Sequence, residues 1–266
     1  MRDIRRTRVR GGRERGVRAI IAGVLIGLVL PPVALSEDKR AAARIEAMAG
    51  FLAKARSLLV AVDCAYDVVQ ESGQKIEFGE RRELTLRRPD RVRVDVTRRD
   101  GARRGLLFDG TQLTAFDLDE KVYATVPKPG SVDAALAYFT QDLNMRLPLR
   151  ELFAADLREE LKNVLPTARL VGEEKVGGVA TDHVAFRGDT ADVQLWIRHD
   201  GDPLPQRIVI TYRLAEGMPQ FAADFSGWNL APDAPDSLFT FTPAAGAEQI
   251  PILAPTGHQP RGEKRQ

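Results

Sequence analysis

The chain has 266 residues, 44% of them apolar and 29% charged, with a formal net charge of +2. That composition excludes a disordered or collagen-like chain and suits one large domain or two small ones. The charge is uneven: the first 36 residues hold eight Arg against Asp3 and Glu14, and the remainder carries 31 basic and 35 acidic residues, so the body lacks the basic excess of a nucleic-acid surface.

Those eight Arg precede "AIIAGVLIGLVL" at 19–30, an uncharged apolar run, and then "PPVALSE" with small residues at Ala34 and Ser36. A basic n-region, a short apolar core and a small-residue exit are the three parts of a secretory signal, here 1–36 with cleavage after Ser36. An uncleaved inner-membrane anchor is the alternative, but twelve residues at about 1.5 Å each cover only about 18 Å of a roughly 30 Å hydrocarbon core. The expected location is the periplasm, with no membrane span after processing. Cys64 is the only cysteine, so no internal disulfide forms, and the residue is expected to be buried in a strand.

The segment 37–62 spaces Ile45, Met48, Leu52, Leu59 and Val62 by three, four or seven residues, which predicts an amphipathic helix. From Cys64 the period becomes two. Ser72-Gly73 marks a turn, Leu84 and Leu86 share a face, Pro89-Asp90 makes a corner, and "RVRVDV" sets Val92, Val94 and Val96 against Arg91, Arg93 and Asp95. "LLFDGTQLTAF" reads as strand, Asp109-Gly110 turn and return strand, and "DLDEKVYATV" adds another corner and strand. Between 131 and 165 a helical period returns with Val132, Leu136, Phe139 and Leu143, then Leu149, Leu152, Phe153, Leu157, Leu161 and Val164. Prolines divide this insert into two or three short helices. Strands resume over 168–228, and the Pro-, Gly- and Lys/Arg-rich stretch 251–266 is expected to be a disordered tail.

The stretch "DVQLWIRHDGDPLPQRIVITY" at 192–212 admits two readings, a His/Asp metal or acid/base site and a hairpin corner. Register decides between them. A two-residue loop at Asp189-Thr190 sets Phe186 opposite Val193, Val184 opposite Leu195 and Arg187 opposite Asp192, satisfying packing and charge together. The next hairpin is expected to pair Ile197 with Ile208, Leu195 with Ile210 and Val193 with Tyr212, leaving "HDGDPLP" at its tip with Gly201 at positive φ. His183 then faces Trp196, and His199 lies about three rungs off, roughly 10 Å, too far to share a zinc with bonds of about 2 Å. No metal, cofactor or catalytic residue is expected. The chain has no G-x-S-x-G, Walker, H-E-x-x-H or C-x-x-C motif, and Glu173-Glu174 and Asp117/Asp119 read as turn or edge charges.

The order of parts, helix, antiparallel strands, helical insert and further strands, together with Arg88-Pro89, Arg93, Asp109-Gly110, Leu113, Phe116-Asp117 and Tyr123, resembles the lipoprotein-localisation fold of the carrier LolA and the receptor LolB. Within it, "TDHVAFRGDTADVQLWIRHDGDPLPQRIVITY" looks closest to an uncharacterised family of predicted periplasmic proteins, domain of unknown function 2092, with 37–250 as the domain. The resemblance implies an α+β fold: a curved antiparallel β-sheet, an unclosed half-barrel, covered by an N-terminal helix and the mid-chain helical insert. It also implies an apolar hollow for acyl chains.

The expected function is non-enzymatic binding of a lipid, acyl chain or lipidated protein. Lining candidates are Val92, Val94, Phe108, Leu113, Leu136, Phe139, Phe186, Leu195, Ile197, Ile208 and Ile210. The alternative is a cell-envelope interaction or sensor module on the same fold with a filled core. Trp196, with His183 and Val209, points away from the apolar face: it either packs under a loop or the tail or, for that alternative function, is the candidate partner surface.

Overall fold

The computed structural model describes residues 37–138 and 149–251. The expected signal segment, Phe139, Leu143 and the tail from 252 lie outside the described residues. Helix α1 (Glu37–Lys54) buries Ala41, Ile45, Met48, Ala49 and Leu52, one stripe at helical spacing. Acidic residues in its first turn and Lys54 in its last suit the helix dipole. The helix stops eight residues short of the expected end. Leu59 and Val62 instead belong to strand β1 (Ser57–Val69), where Leu58, Val60, Val62 and Cys64 are buried and Leu59 is exposed. Both residues fit the helical spacing by coincidence, while the alternation starting at Leu58 is the pattern the chain obeys.

The remaining strands are β2 (Lys75–Arg87), β3 (Arg91–Arg98), β4 (Arg103–Phe108), β5 (Gln112–Asp117) and β6 (Val122–Pro127), then β7 (Arg169–Val176), β8 (Val179–Arg187), β9 (Ala191–Arg198), β10 (Pro205–Tyr212), β11 (Gln220–Asn229) and the two-residue β12 (Glu248–Gln249). Between β6 and β7 come α2 (Val132–Ala137), a single turn at Glu151–Phe153, α3 (Leu157–Leu161) and a second turn at Leu165–Thr167. Ser131 starts α2 by accepting the Ala134 N–H.

All twelve strands form one sheet in the order β12-β6-β5-β4-β3-β2-β1-β11-β10-β9-β8-β7. Neighbours are antiparallel apart from β12, which runs parallel to β6. The two meanders, β1 to β6 and β7 to β11, are joined where β1 pairs with β11. Because β6 and β7 lie towards opposite edges, the helical segment between them has to cross a face of the sheet. The outer strands β12 and β7 are not hydrogen-bonded to each other, so the sheet stays an unclosed half-barrel, the α+β architecture that the order of parts implied.

Helix α1 packs on β7, β8 and β9. One cross-strand row, Val184, Leu195, Ile208, Ala223 and Cys64, runs from β8 to β1 and belongs to the continuous buried core. The β8–β9 hairpin has the expected register, and Arg187 bonds Asp192 at 2.6 Å. The β9–β10 hairpin does not: Leu195 faces Ile208 and Val193 faces Ile210, two residues from the expected pairing. The cause is local. Pro205 pairs with Ile197, the register shifts before Arg207, and Arg198 N–H donates to Leu204 O, so the loop closes earlier. A slip of two keeps the apolar residues on the same face.

On the outer face, the chain after β11 crosses β2 to β6. Arg87 and Arg93 donate to Ala234 O and Leu238 O, Phe239 is fully buried beneath Arg87, and the Phe241 ring packs on Phe116 and Tyr123.

Candidate functional site

Three consecutive rows on the inner face of β1 to β6 change character along the strands. In the first, Leu58, Leu86, Val92, Phe108 and Leu113 are paired across the strands, and none is more than 2% exposed. In the second, Leu84, Val94, Leu106 and Ala115 are paired the same way but only half-buried. In the third, Arg82, Val96, Arg104 and Asp117 follow one another. Val132, Leu136, Leu149 and Phe153, from the described parts of the insert, belong to the same core as the first row and border the space over the second. A hollow of about 560 Å³ results, floored by Leu84, Val94, Leu106 and Ala115 and walled by Val132, Leu136, Leu149 and Phe153.

The hollow is sealed at one end and charged at the other. Beyond its apolar floor, Glu80 bridges two strands: Oε1 accepts from Arg82 Nε at 2.7 Å, and Oε2 accepts from Arg104 Nη2 at 2.8 Å. The Glu80 side chain is 2% exposed and that of Arg104 49%, so the cluster reaches from the floor to solvent. Arg82 also lies over the Phe221 ring at 5.7 Å. Sequence reasoning passed over these three residues. Their signal was parity, since Glu80 and Arg82 are in phase with Leu84 and Leu86, and Arg104 with Leu106.

Of the expected lining residues, Val92, Val94 and Leu136 border the hollow. Phe108 and Leu113 belong to the closed row. Leu195, Ile197 and Ile208 are buried in the core, with Phe186 and Ile210 packed against it, because α1 covers that half of the sheet. These seven therefore correct the expected list, and Phe139 is outside the described residues.

The expected partner surface is also corrected. Trp196 is 8% and His183 7% exposed, and the two rings stack at 4.1 Å. Glu174 seals them: one carboxylate oxygen accepts from Trp196 Nε1 at 2.8 Å, and the other lies 2.9 Å from His183 Nδ1. Those bonds, Trp196 first and His183 second, hold the Glu174 carboxyl below its ordinary range. Gln194 meets His183 Nε2, Arg207 caps the indole face, and Val209 is half-buried opposite Gln194. Glu174 is the exposed charge on the edge strand β7 that was expected, and it also bonds the buried ring pair, while Asp117 and Asp119 serve the β5–β6 turn.

A second polar group ties α1 to the sheet. Asp182, on the inner face and 4% exposed, pairs with Arg44 Nε at 2.6 Å and with His199 Nδ1 at 2.9 Å, while Arg44 also donates to the carbonyls of Arg198 and His199. The Asp182 bond, reinforced by its charge, raises the His199 pKa. Glu173, Asp182 and His199 place donor atoms within 4.8 Å of one another. A guanidinium already on the central carboxylate opposes a divalent cation, so the trio reads as an ion-pair network.

No curated protein matches the chain. It is similar to solved structures of the lipoprotein LppX from Mycobacterium tuberculosis (17% identity, 74% of this chain and 98% of that one, TM-score 0.46). It is also similar to LprF from Mycobacterium bovis (14%, 74% and 96%, TM-score 0.47) and to a LolA superfamily protein from Nitrosomonas europaea (15%, 76% and 97%, TM-score 0.37). No helix among the described residues is long and apolar enough to cross a membrane. Residues 41–253, most of the chain, match the family described as predicted periplasmic protein, domain of unknown function 2092, and the protein belongs to that family.

Proposed function

We propose that this is a periplasmic binding protein which holds the apolar chain of a lipid, fatty acid or lipidated protein in the hollow between the insert and β2 to β6. One observation carries the reading: Leu84, Val94, Leu106 and Ala115 form a continuous apolar row left half-buried over a space of about 560 Å³. That volume is within the range of small-molecule sites. Val92, Val94 and Leu136 are the expected contacts that remain in this proposal.

The test is uptake by protein freed of co-purifying lipid. Wild type should take up a fluorescent fatty acid or an apolar dye and gain melting temperature with it. Ala115→Trp, which fills the floor, should fold and lose uptake. Absence of both uptake and thermal shift in wild type would remove the reading.

A further inference from the structure

We propose that the charged end of the hollow selects an anionic head group, so that the ligand is an amphiphile with a carboxylate or phosphate at the end of its chain. This rests on the hollow being a chain site and adds the chemistry of its mouth.

Charge placed on an apolar face is costly, so its arrangement is informative. Glu80, Arg82 and Arg104 occupy positions in phase with the greasy floor. Among the described residues, the charged side chains bordering the hollow are Arg82, Arg104 and Arg150 against Glu80 and Asp117. Arg150 is itself paired with Glu151 and Glu160 at 3.4 Å, so the positive character of the mouth rests on Arg82 and Arg104. The two acids, moreover, are committed. Glu80 spends one oxygen on each of two guanidinium groups, and Asp117 Oδ1 accepts from the Asp119 and Glu120 N–H groups in the adjacent turn.

The cluster is also pre-oriented. A nearly fully buried carboxylate holds both guanidinium groups from below, and the Arg104 side chain continues to the solvent-exposed end. Planar guanidinium forks match the oxygens of carboxylate and phosphate, and being held in advance lowers the entropy lost on binding. Direction follows from burial. Val92, Leu86 and Val132 close the far end at 2% exposure or less, so a chain enters tail first and its head stays beside Arg104 and Arg82. A cationic head would meet repulsion there, and a neutral one would forgo the charge-assisted bonds.

The experiment compares probes of equal chain on the delipidated protein: oleate, oleyl phosphate, oleyl alcohol and methyl oleate, with inorganic phosphate alone as a further arm. The two anionic amphiphiles should bind about tenfold more tightly than the neutral ones, the scale of one charge-assisted bond. Which of the two is preferred identifies the head group. Arg104→Gln should erase that preference, read as the ratio of oleate to oleyl alcohol affinity, and Arg104→Lys should retain most of it. Glu80 keeps its Arg82 bond in both variants, and a melting curve checks that each is folded.

Equal affinity of wild type for anionic and neutral probes overturns the head-group assignment and leaves the chain site standing. No uptake of any probe overturns both. Inorganic phosphate binding as tightly as oleyl phosphate would mark a free-anion site and overturn the amphiphile.

Discussion

Arg44 of α1 and Asp182 of β8 form a 2.6 Å ion pair that joins the N-terminal helix to the far half of the sheet. Asp182 is nearly fully buried and also bonds His199, so one carboxylate organises a helix, a strand and a hairpin end. Asp182→Asn should lower unfolding free energy by about 1–3 kcal/mol, less than for a fully enclosed pair because Arg44 and His199 keep part of their surface in water. Chemical denaturation measures it. An unchanged midpoint would mean that α1 is held by its apolar stripe alone.

The same contact makes stability depend on pH. The folded state raises the His199 pKa above its ordinary value of 6.5, chiefly through the Asp182 bond. Folding therefore favours the protonated ring. The stabilisation is complete below the unfolded His pKa and is lost as pH rises through the higher folded value. Melting temperature should fall over that window in wild type and fall less in His199→Gln. A His199→Gln profile parallel to wild type through neutral pH would refute the linkage.

Trp196 separates a buried brace from an interaction surface. Its ring lies between His183 and Arg207, with its N–H on Glu174. Trp196→Ala should cost about 3–5 kcal/mol, the range for deleting a large buried aromatic. An exposed docking residue would leave the denaturation midpoint in place and alter only partner capture.

Gly105 makes room for the outer-face packing. A Cβ there would lie 2.4 Å from the Phe116 ring and 2.6 Å from Val94 O, and the second of these is backbone that cannot swing aside. Gly105→Ala should destabilise by about 1–3 kcal/mol, as overpacking does. It should also weaken chain uptake, since the neighbouring Leu106 floors the hollow. A midpoint equal to wild type would show that both Phe116 and the β3–β4 backbone relax around the added methyl.

Parity explains what could be read from the residues alone. The β8–β9 register was legible because a one-residue slip would turn Val184 and Phe186 outward and separate Arg187 from Asp192. The β9–β10 register was not, because a slip of two satisfies the same rule and only the bulge near Pro205 sets it. The hollow had the same ambiguity. Val94 and Val92, or Leu106 and Phe108, stand on one face in one strand, and what divides floor from filled core is where the insert touches down. That depends on chain crossing from β6 to β7, which no local pattern records. The charged end was legible in principle, since "GERRELTL" puts Glu80 and Arg82 in step with Leu84 and Leu86. Alternation elsewhere in the same strands made them look like ordinary wet-face residues.

Cys64 offers the last test, of how tightly the inner face is closed beside the charged cluster. It lies in the row next to Glu80, is 4% exposed, and its thiol is pushed up to about 11, first by burial and then by Glu80, Asp63 and Asp224 against the opposing pull of Arg82. At pH 8 roughly one molecule in a thousand would then carry a thiolate, the form that attacks alkylating agents and disulfides. Native protein should resist iodoacetamide for hours and label at once in denaturant, and it should not form a disulfide-linked dimer under mild oxidation. If the native thiol labels as fast as the unfolded one, the strands around Cys64 open readily, and the sealed geometry assigned to this part of the sheet is wrong.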